Sequence, residues 1–109
     1  LPRRVLARVA RDLKTRSDIS LESEVATMVY VRQHTAIPVP IVYGYCPTRD
    51  NVLGQPFSIV SFIEGSDMNG MAWENLPLES KLIGIRDFAT IVSQLSQLHF
   101  KAIGSIYFK

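Results

Sequence analysis

The spacing of apolar and polar residues divides the chain into short extended segments and two helical ones. Residues 5–9 are apolar except for one arginine, which predicts a strand. From about Ser20 to His34 the apolar positions recur at helical spacing and predict an amphipathic helix. Pro38 and Pro40 stop that helix, because a proline has no backbone donor and holds its predecessor extended. The apolar side of the helix consists of Val25, Met28, Val29 and the stem of Arg32.

Two more strands and a long helix are predicted beyond these prolines. Residues 41–45 and 55–63 are apolar and extended, and the turn-forming residues 47–54 between them predict a hairpin with a long loop. Residues 65–70 are predicted to form an irregular link, and Pro77 marks the start of the long helix. One face of this helix carries apolar residues over about five turns. They are Leu82, Ile85, Phe88, Ala89, Val92, Leu95 and Leu98.

The order of these elements predicts the α+β fold class. A free-standing antiparallel sheet is an alternative arrangement of the strands within the same class. The length of 109 residues, with 47% hydrophobic and 20% charged residues, fits a small globular domain or a piece of one. Because the chain starts at Leu1 without a methionine, we expect it to be part of something longer.

Composition argues against several classes of protein. The single cysteine, Cys46, rules out an internal disulfide, and there is no Asn-x-Ser/Thr acceptor. Both features favour a cytoplasmic location. The longest uncharged run, residues 35–48, has 14 residues and three prolines, so no membrane-spanning helix is expected.

The net charge of +2 is unevenly distributed. Residues 1–16 contain six basic side chains and a single acidic one, Asp12. A solvated basic edge is the simplest interpretation, and a phosphate-facing surface is the alternative. Nucleic-acid binding is disfavoured because no aromatic residue lies among these charges. The basic residues are Arg3, Arg4, Arg8, Arg11, Lys14 and Arg16.

The first strand and the first helix together suggest half of a nucleotide site. Leu6 and Arg8 point the same way because strand positions two apart share a face. Leu6 would cover a flat base while Arg8 reaches the phosphates. Glu24, about one turn into the helix, would pair with Arg8 and hold it extended. The alternative is that Arg8 and Glu24 are two unconnected surface charges.

The other half of such a site would lie at the end of the strand predicted over residues 55–63. This strand runs directly into Glu64 and Gly65, so its last backbone groups are left without a continuing ladder. The Ser61 carbonyl and the Ile63 amide would face the edge of an adenine. An ordinary strand followed by a turn is the alternative.

Several of these segments resemble a known family in the same order. Val-Leu-Ala-Arg at 5–8, Ser-Glu-Val-Ala-Thr-Met at 23–28 and the Thr-x-Ile-Pro-Val-Pro turn at 35–40 are similar to its strand-3, helix-C and turn motifs. Residues 57–65 resemble its strand 5 and hinge, and residues 98–107 resemble its Ile-Gly-Ser-Leu-Tyr segment. The family is the aminoglycoside phosphotransferase/choline kinase-like group, in its fungal phosphotransferase branch. The resemblance covers essentially the whole chain.

The resemblance implies a role for each matching residue. Arg8 occupies the phosphate-contacting cation position, and Glu24 is its partner on helix C. Leu6 lines the adenine slot. The gatekeeper position behind the base, and the hinge backbone groups that would contact the base, fall on Val60, Ser61 and Ile63.

The resemblance also implies a domain plan and an activity. Residues 1–63 would form a protein-kinase-like N-lobe, 64–76 the hinge and linker, and 77–109 the long helix and the start of the C-lobe. The parent protein would use ATP and Mg²⁺ to phosphorylate a hydroxyl group of a small molecule. The exposed apolar face of the long helix would favour self-association.

The sequence departs from the family in two respects. Arg8 replaces the usual lysine, and arginine need not hold phosphates in the same geometry. The glycine-rich loop, the catalytic His-Gly-Asp loop and the metal-binding aspartate have no counterpart in these residues. The chain is therefore catalytically incomplete as it stands. The alternative function is a non-catalytic kinase-like binding or scaffold module.

Overall fold

Three strands form one antiparallel sheet, in which the third strand of the chain lies between the first and the second. One helix separates the first two strands along the chain, and two more helices follow the third strand. A computed structural model describes residues 4–10 and 18–108. This combination of sheet and helices confirms the α+β class. The elements are β1 (Val5–Val9), α1 (Asp18–His34), β2 (Val42–Cys46), β3 (Phe57–Ser61), α2 (Gly70–Glu74) and α3 (Leu78–Ser96).

The sheet is built on β3, which pairs with both other strands. In the pairing with β1, Leu6 lies opposite Val60 and Arg8 lies opposite Ser58. The pairing of β2 with β3 confirms the predicted hairpin, with a bulge at Tyr43. The strand β3 is shorter than predicted, because it ends at Ser61 rather than at residue 63.

The long loop of the hairpin is held by one asparagine. The Asn51 side-chain amide donates to the carbonyl oxygens of Thr48 and Gln55, each at 2.8 Å. Gly54 follows with a φ of 68°, a left-handed conformation that suits glycine. The turn chemistry predicted for this segment is therefore confirmed.

The core lies where α1 meets the sheet. On α1, Leu21, Val25 and Ala26 are buried, and Val25 is only 2% exposed. On β3, Ser58 and Val60 are buried and share one face because they are two positions apart. The predicted apolar side of α1 is confirmed at Val25.

The second half of the chain packs much less tightly. Asn69 caps α2 by accepting a hydrogen bond from the Ala72 amide at 3.0 Å, and this short helix was not predicted. The predicted long helix is present as α3, but it ends at Ser96, so Leu98 lies beyond it. None of the 19 residues of α3, all of which are described, is buried.

Two observations bear on the remaining expectations. Of the six basic residues at the start, the structure describes only Arg4 and Arg8, and the other four lie outside the described residues. Among the described helices, none has the length and apolar character needed to cross a membrane.

Candidate functional site

The sheet and α1 bring Arg8 and Glu24 together. An Nη1 atom of Arg8 donates to Oε1 of Glu24 at 3.1 Å, between side chains that are only partly exposed. Because Val25 is buried, α1 is fixed against the sheet, and Glu24 at the preceding position is carried toward β1. The predicted pairing of Arg8 with Glu24 is therefore present, and the alternative of two unconnected surface charges is wrong.

This ion pair matters for orientation more than for stability. A partly exposed pair contributes on the order of 1 kcal/mol or less. An arginine has five N–H donors in a rigid fork, so an anchor on one side leaves others for an anion. Glu24 thus holds the Arg8 side chain in one direction along the sheet face.

An apolar surface lies beside this pair on the same face of the sheet. Leu6 and Val60 are cross-strand partners, so their side chains project to the same side. Val60 is 3% exposed whereas Leu6 is 44% exposed. This face of the sheet therefore has an accessible apolar side chain, Leu6, opposite the buried Val60, and an accessible apolar side chain can contact a flat apolar ring.

The two predicted hinge residues differ in how firmly they are held. The Ser61 amide donates to the Ile41 carbonyl at 2.8 Å, and its hydroxyl accepts from the Ile41 amide at 2.9 Å. Ser61 is thus tied to the chain that leads into β2. Ile63 lies two residues past the end of β3 and is exposed. Its amide therefore lies in an irregular segment rather than in a strand, contrary to the prediction.

Sequence reasoning missed the contacts at the start of β1. An Nη1 atom of Arg4 lies 3.5 Å from Oε1 of Glu64, and the Arg4 guanidinium carbon lies 5.1 Å from the centre of the Phe62 ring. The alternation of strand positions indicates only that Arg4 lies on the same face as Leu6 and Arg8, and it does not indicate the partners of Arg4. Arg4 was assigned instead to a general basic edge.

Two clefts lie between α1 and the segment of residues 100–107. One of about 540 Å³ is bordered by Glu24, Thr27 and Tyr107. Another, of about 860 Å³, lies between Tyr30 and residues 100–107. Neither is lined by Arg8 or Leu6, so we place the candidate site by its chemistry and not by cavity size.

The described residues do not supply a metal centre. Within residues 4–10 and 18–108, no group of three or more histidine, cysteine, aspartate or glutamate side chains could hold a metal ion. Asp87, in the Asp-Phe-Ala sequence that resembles a kinase metal motif, lies in the middle of α3. No magnesium ligand is therefore assigned.

Comparison with other proteins places this geometry in context. Over 107 residues the chain is 28% identical to a subtelomeric hrmA-associated cluster protein of Aspergillus fumigatus, covering 98% of this chain and 21% of that protein. It is 35% identical over 95 residues to altered inheritance of mitochondria protein 9, mitochondrial, of Zygosaccharomyces rouxii, covering 81% of this chain and 15% of that protein. No solved structure matches.

These relatives are fungal, as the resemblance to a fungal branch implied, and the chain spans about a fifth or less of their length. The profile of the phosphotransferase enzyme family matches residues 2–107, which is nearly the whole chain. The chain belongs to the phosphotransferase enzyme family.

Proposed function

We propose that this chain is the ATP-binding lobe of a small-molecule phosphotransferase, with the architecture of a protein-kinase-like N-lobe. The observation that carries the proposal is the Arg8–Glu24 ion pair beside Leu6 and Val60 on one sheet face. Membership of the phosphotransferase family supports it. This chain spans about a fifth of the length of its Aspergillus fumigatus relative. The phosphotransferase activity of the whole protein is therefore part of the same proposal.

Each residue has a distinct part in holding the nucleotide. Leu6 covers one face of the adenine, and Val60 closes the back of its slot. The Ser61 carbonyl and the Ile63 amide meet the polar edge of the base. Arg8, oriented by Glu24, donates to the phosphates. Bound ATP, with Mg²⁺ held by residues outside this chain, supplies the phosphoryl group for a hydroxyl acceptor.

A binding titration with Mg-ATP tests the proposal. Glu24→Gln removes the charge that orients Arg8 while keeping the side-chain shape, and we expect the dissociation constant to rise about two- to fivefold, in line with the energy of a partly exposed ion pair. Glu79→Gln, the same change on the exposed part of α3, is the matched control and should leave the affinity unchanged. An unchanged affinity in Glu24→Gln, or equal losses in both variants, would contradict the proposal.

A non-catalytic nucleotide-binding module is the second candidate. It is favoured by one observation, the arginine at position 8 where the resemblance leads us to expect lysine. Phosphate release from ATP, measured on the full-length protein with and without added hydroxyl acceptors, separates the two candidates. Binding of ATP without turnover, unchanged in Arg8→Lys, would support the module over the enzyme.

The location in the cell is also a proposal. We retain the cytoplasm, because a lone cysteine and the lack of a glycosylation acceptor both fit a reducing compartment. The relatives named altered inheritance of mitochondria protein 9, mitochondrial, make the mitochondrion the competing location. Cell fractionation of the tagged full-length protein distinguishes them.

A further inference from the structure

Arg4 joins the start of β1 to the segment that follows β3. Its guanidinium group contacts Glu64 at 3.5 Å and lies over the ring of Phe62 at 5.1 Å. These two residues flank Ile63 on either side. One side chain therefore holds both neighbours of the residue whose amide is proposed to contact the base.

The segment needs such a support because regular structure ends before it. The ladder between β1 and β3 stops at the pair of Val5 and Ser61. Residues 62–69 that follow are irregular, and Ile63 is exposed. Backbone of this kind samples many conformations unless side chains restrain it.

From this geometry we propose that Arg4 is a positioning residue for recognition of the nucleotide base. It holds residues 62–64 so that the Ile63 amide stays at the end of the slot formed by Leu6 and Val60. The inference rests on the proposed ATP-binding function and deepens it. The two arginines of this sheet face then have different roles: Arg4 positions the backbone that contacts the base, and Arg8 contacts the phosphates.

The two tasks can be separated with two ligands. Arg4→Met keeps an unbranched side-chain stem but removes the charged guanidinium group, and we expect the dissociation constant for ATP to rise about two- to fivefold, as exposed contacts of this kind allow. The affinity for inorganic tripolyphosphate, which has no base, should stay the same. Arg8→Met should weaken the binding of both ligands. Arg86→Met on the exposed face of α3 is the matched control and should change neither.

Charge rearrangement provides a second measurement. Arg4→Glu should weaken ATP binding through repulsion of Glu64, and the double variant Arg4→Glu/Glu64→Arg should recover part of the loss. Arg4→Lys, which keeps the charge, should remain close to the original protein. Circular dichroism of each variant shows whether the fold is retained, which the exposure of Arg4 leads us to expect.

The outcomes are distinct. An Arg4→Met variant that loses ATP and tripolyphosphate affinity equally, or neither, overturns the assignment of Arg4 while leaving the proposed function in place. Binding of neither ligand by the original protein overturns the proposed function, and this inference with it. Selective loss of ATP affinity with partial recovery in the reversed pair supports it.

Discussion

The two long helices of this protein, α1 and α3, differ in burial, and their sequences do not predict the difference. The apolar residues of α3 recur regularly over most of its length, yet none of its residues is buried. The apolar positions of α1 are interrupted by small and polar residues, yet Leu21, Val25 and Ala26 form much of the core. A regular apolar face thus indicates that a helix can be buried, and the neighbouring elements decide whether it is.

The difference has consequences for the site. Packing of α1 against the sheet gives Glu24 a fixed position and lets it hold Arg8. By contrast, α3 and the residues that follow it reach α1 and the turn after it through a hydrogen bond and a ring contact. The Gln94 side chain accepts from the Ala36 amide at 2.8 Å, and Phe100, just past the helix, lies 5.4 Å from the Tyr30 ring. The tightly packed half contains the candidate site, whereas the half around α3 has an exposed apolar surface.

The largest effect expected from this contrast is on stability. Val25 is 2% exposed and Val92 is 47% exposed, so the same substitution tests both helices. Val25→Ala should lower the free energy of unfolding by about 2 kcal/mol, because it leaves a cavity in the core. Val92→Ala should change it by less than about 0.5 kcal/mol. Urea denaturation measures both, and equal losses would break the distinction between the helices.

The second prediction concerns the exposed face of α3. Phe88 is 67% exposed and Ile85 lies next to it on the helix surface. Exposed apolar side chains that lie together favour self-association, so we expect the average molecular mass of the protein in solution to rise with its concentration. The double variant Ile85→Glu/Phe88→Glu should weaken association at least about tenfold.

Analytical ultracentrifugation across a range of concentrations provides the measurement. Ser93→Glu adds a charge to a polar, exposed position of the same helix and serves as the control. A protein that stays monomeric at every concentration would contradict the expectation, as would equal effects in the variant and its control.

A smaller effect is expected for the ion pair that links α1 to β1. In a double-mutant cycle of Arg8→Met and Glu24→Gln, the coupling free energy should be about 0.5–1 kcal/mol and should decrease with added salt. Replacing Glu24→Gln by Glu79→Gln in the same cycle should give a coupling close to zero, because distant sites add independently. Coupling that is insensitive to salt would show that the two side chains interact through packing.

The smallest effect is expected at the end of β2. Hydrogen bonding to the backbone of Thr48, and then to its hydroxyl, lowers the pKa of the Cys46 thiol. A lower pKa means that the reactive thiolate is present at lower pH, so alkylation should reach its half-maximal rate below the pH found for the same chain in urea. Thr48→Val removes only the side-chain part and should move the midpoint partway back. An identical midpoint in folded and unfolded protein would contradict this.

The existence of the three strands and of the first helix could be predicted from particular residues. Val5–Val9 is a strand, as its apolar and β-branched residues indicated, and Pro38 and Pro40 lie beyond the end of α1. The helix α2 was not predicted, because it has only five residues and the main indication of a helix there is the capping residue Asn69. The end of β3 was placed two residues late, since apolar character continues through Ile63 after the ladder has stopped.

Only part of the candidate site could be predicted from the sequence. The pairing of Arg8 with Glu24 followed from a strand cation and a helix glutamate in motifs that resemble a family. The contacts of Arg4 did not follow, because nothing in the spacing of Arg4 and Glu64 along the chain shows that they meet. Their roles in nucleotide binding stay predictions.

The amino-acid sequence by itself determined the local choices of this protein: where backbone donors are missing at Pro38 and Pro40, where side chains alternate, and where a helix has an apolar face. These depend on neighbours within a few residues and on backbone sterics. Only the tertiary structure decided which apolar face is buried and which charges meet. Arg8 and Glu24 are 16 positions apart, and Arg4 and Glu64 are 60 apart. Such contacts depend on how β3 sets the register of the sheet and how α1 lies against it.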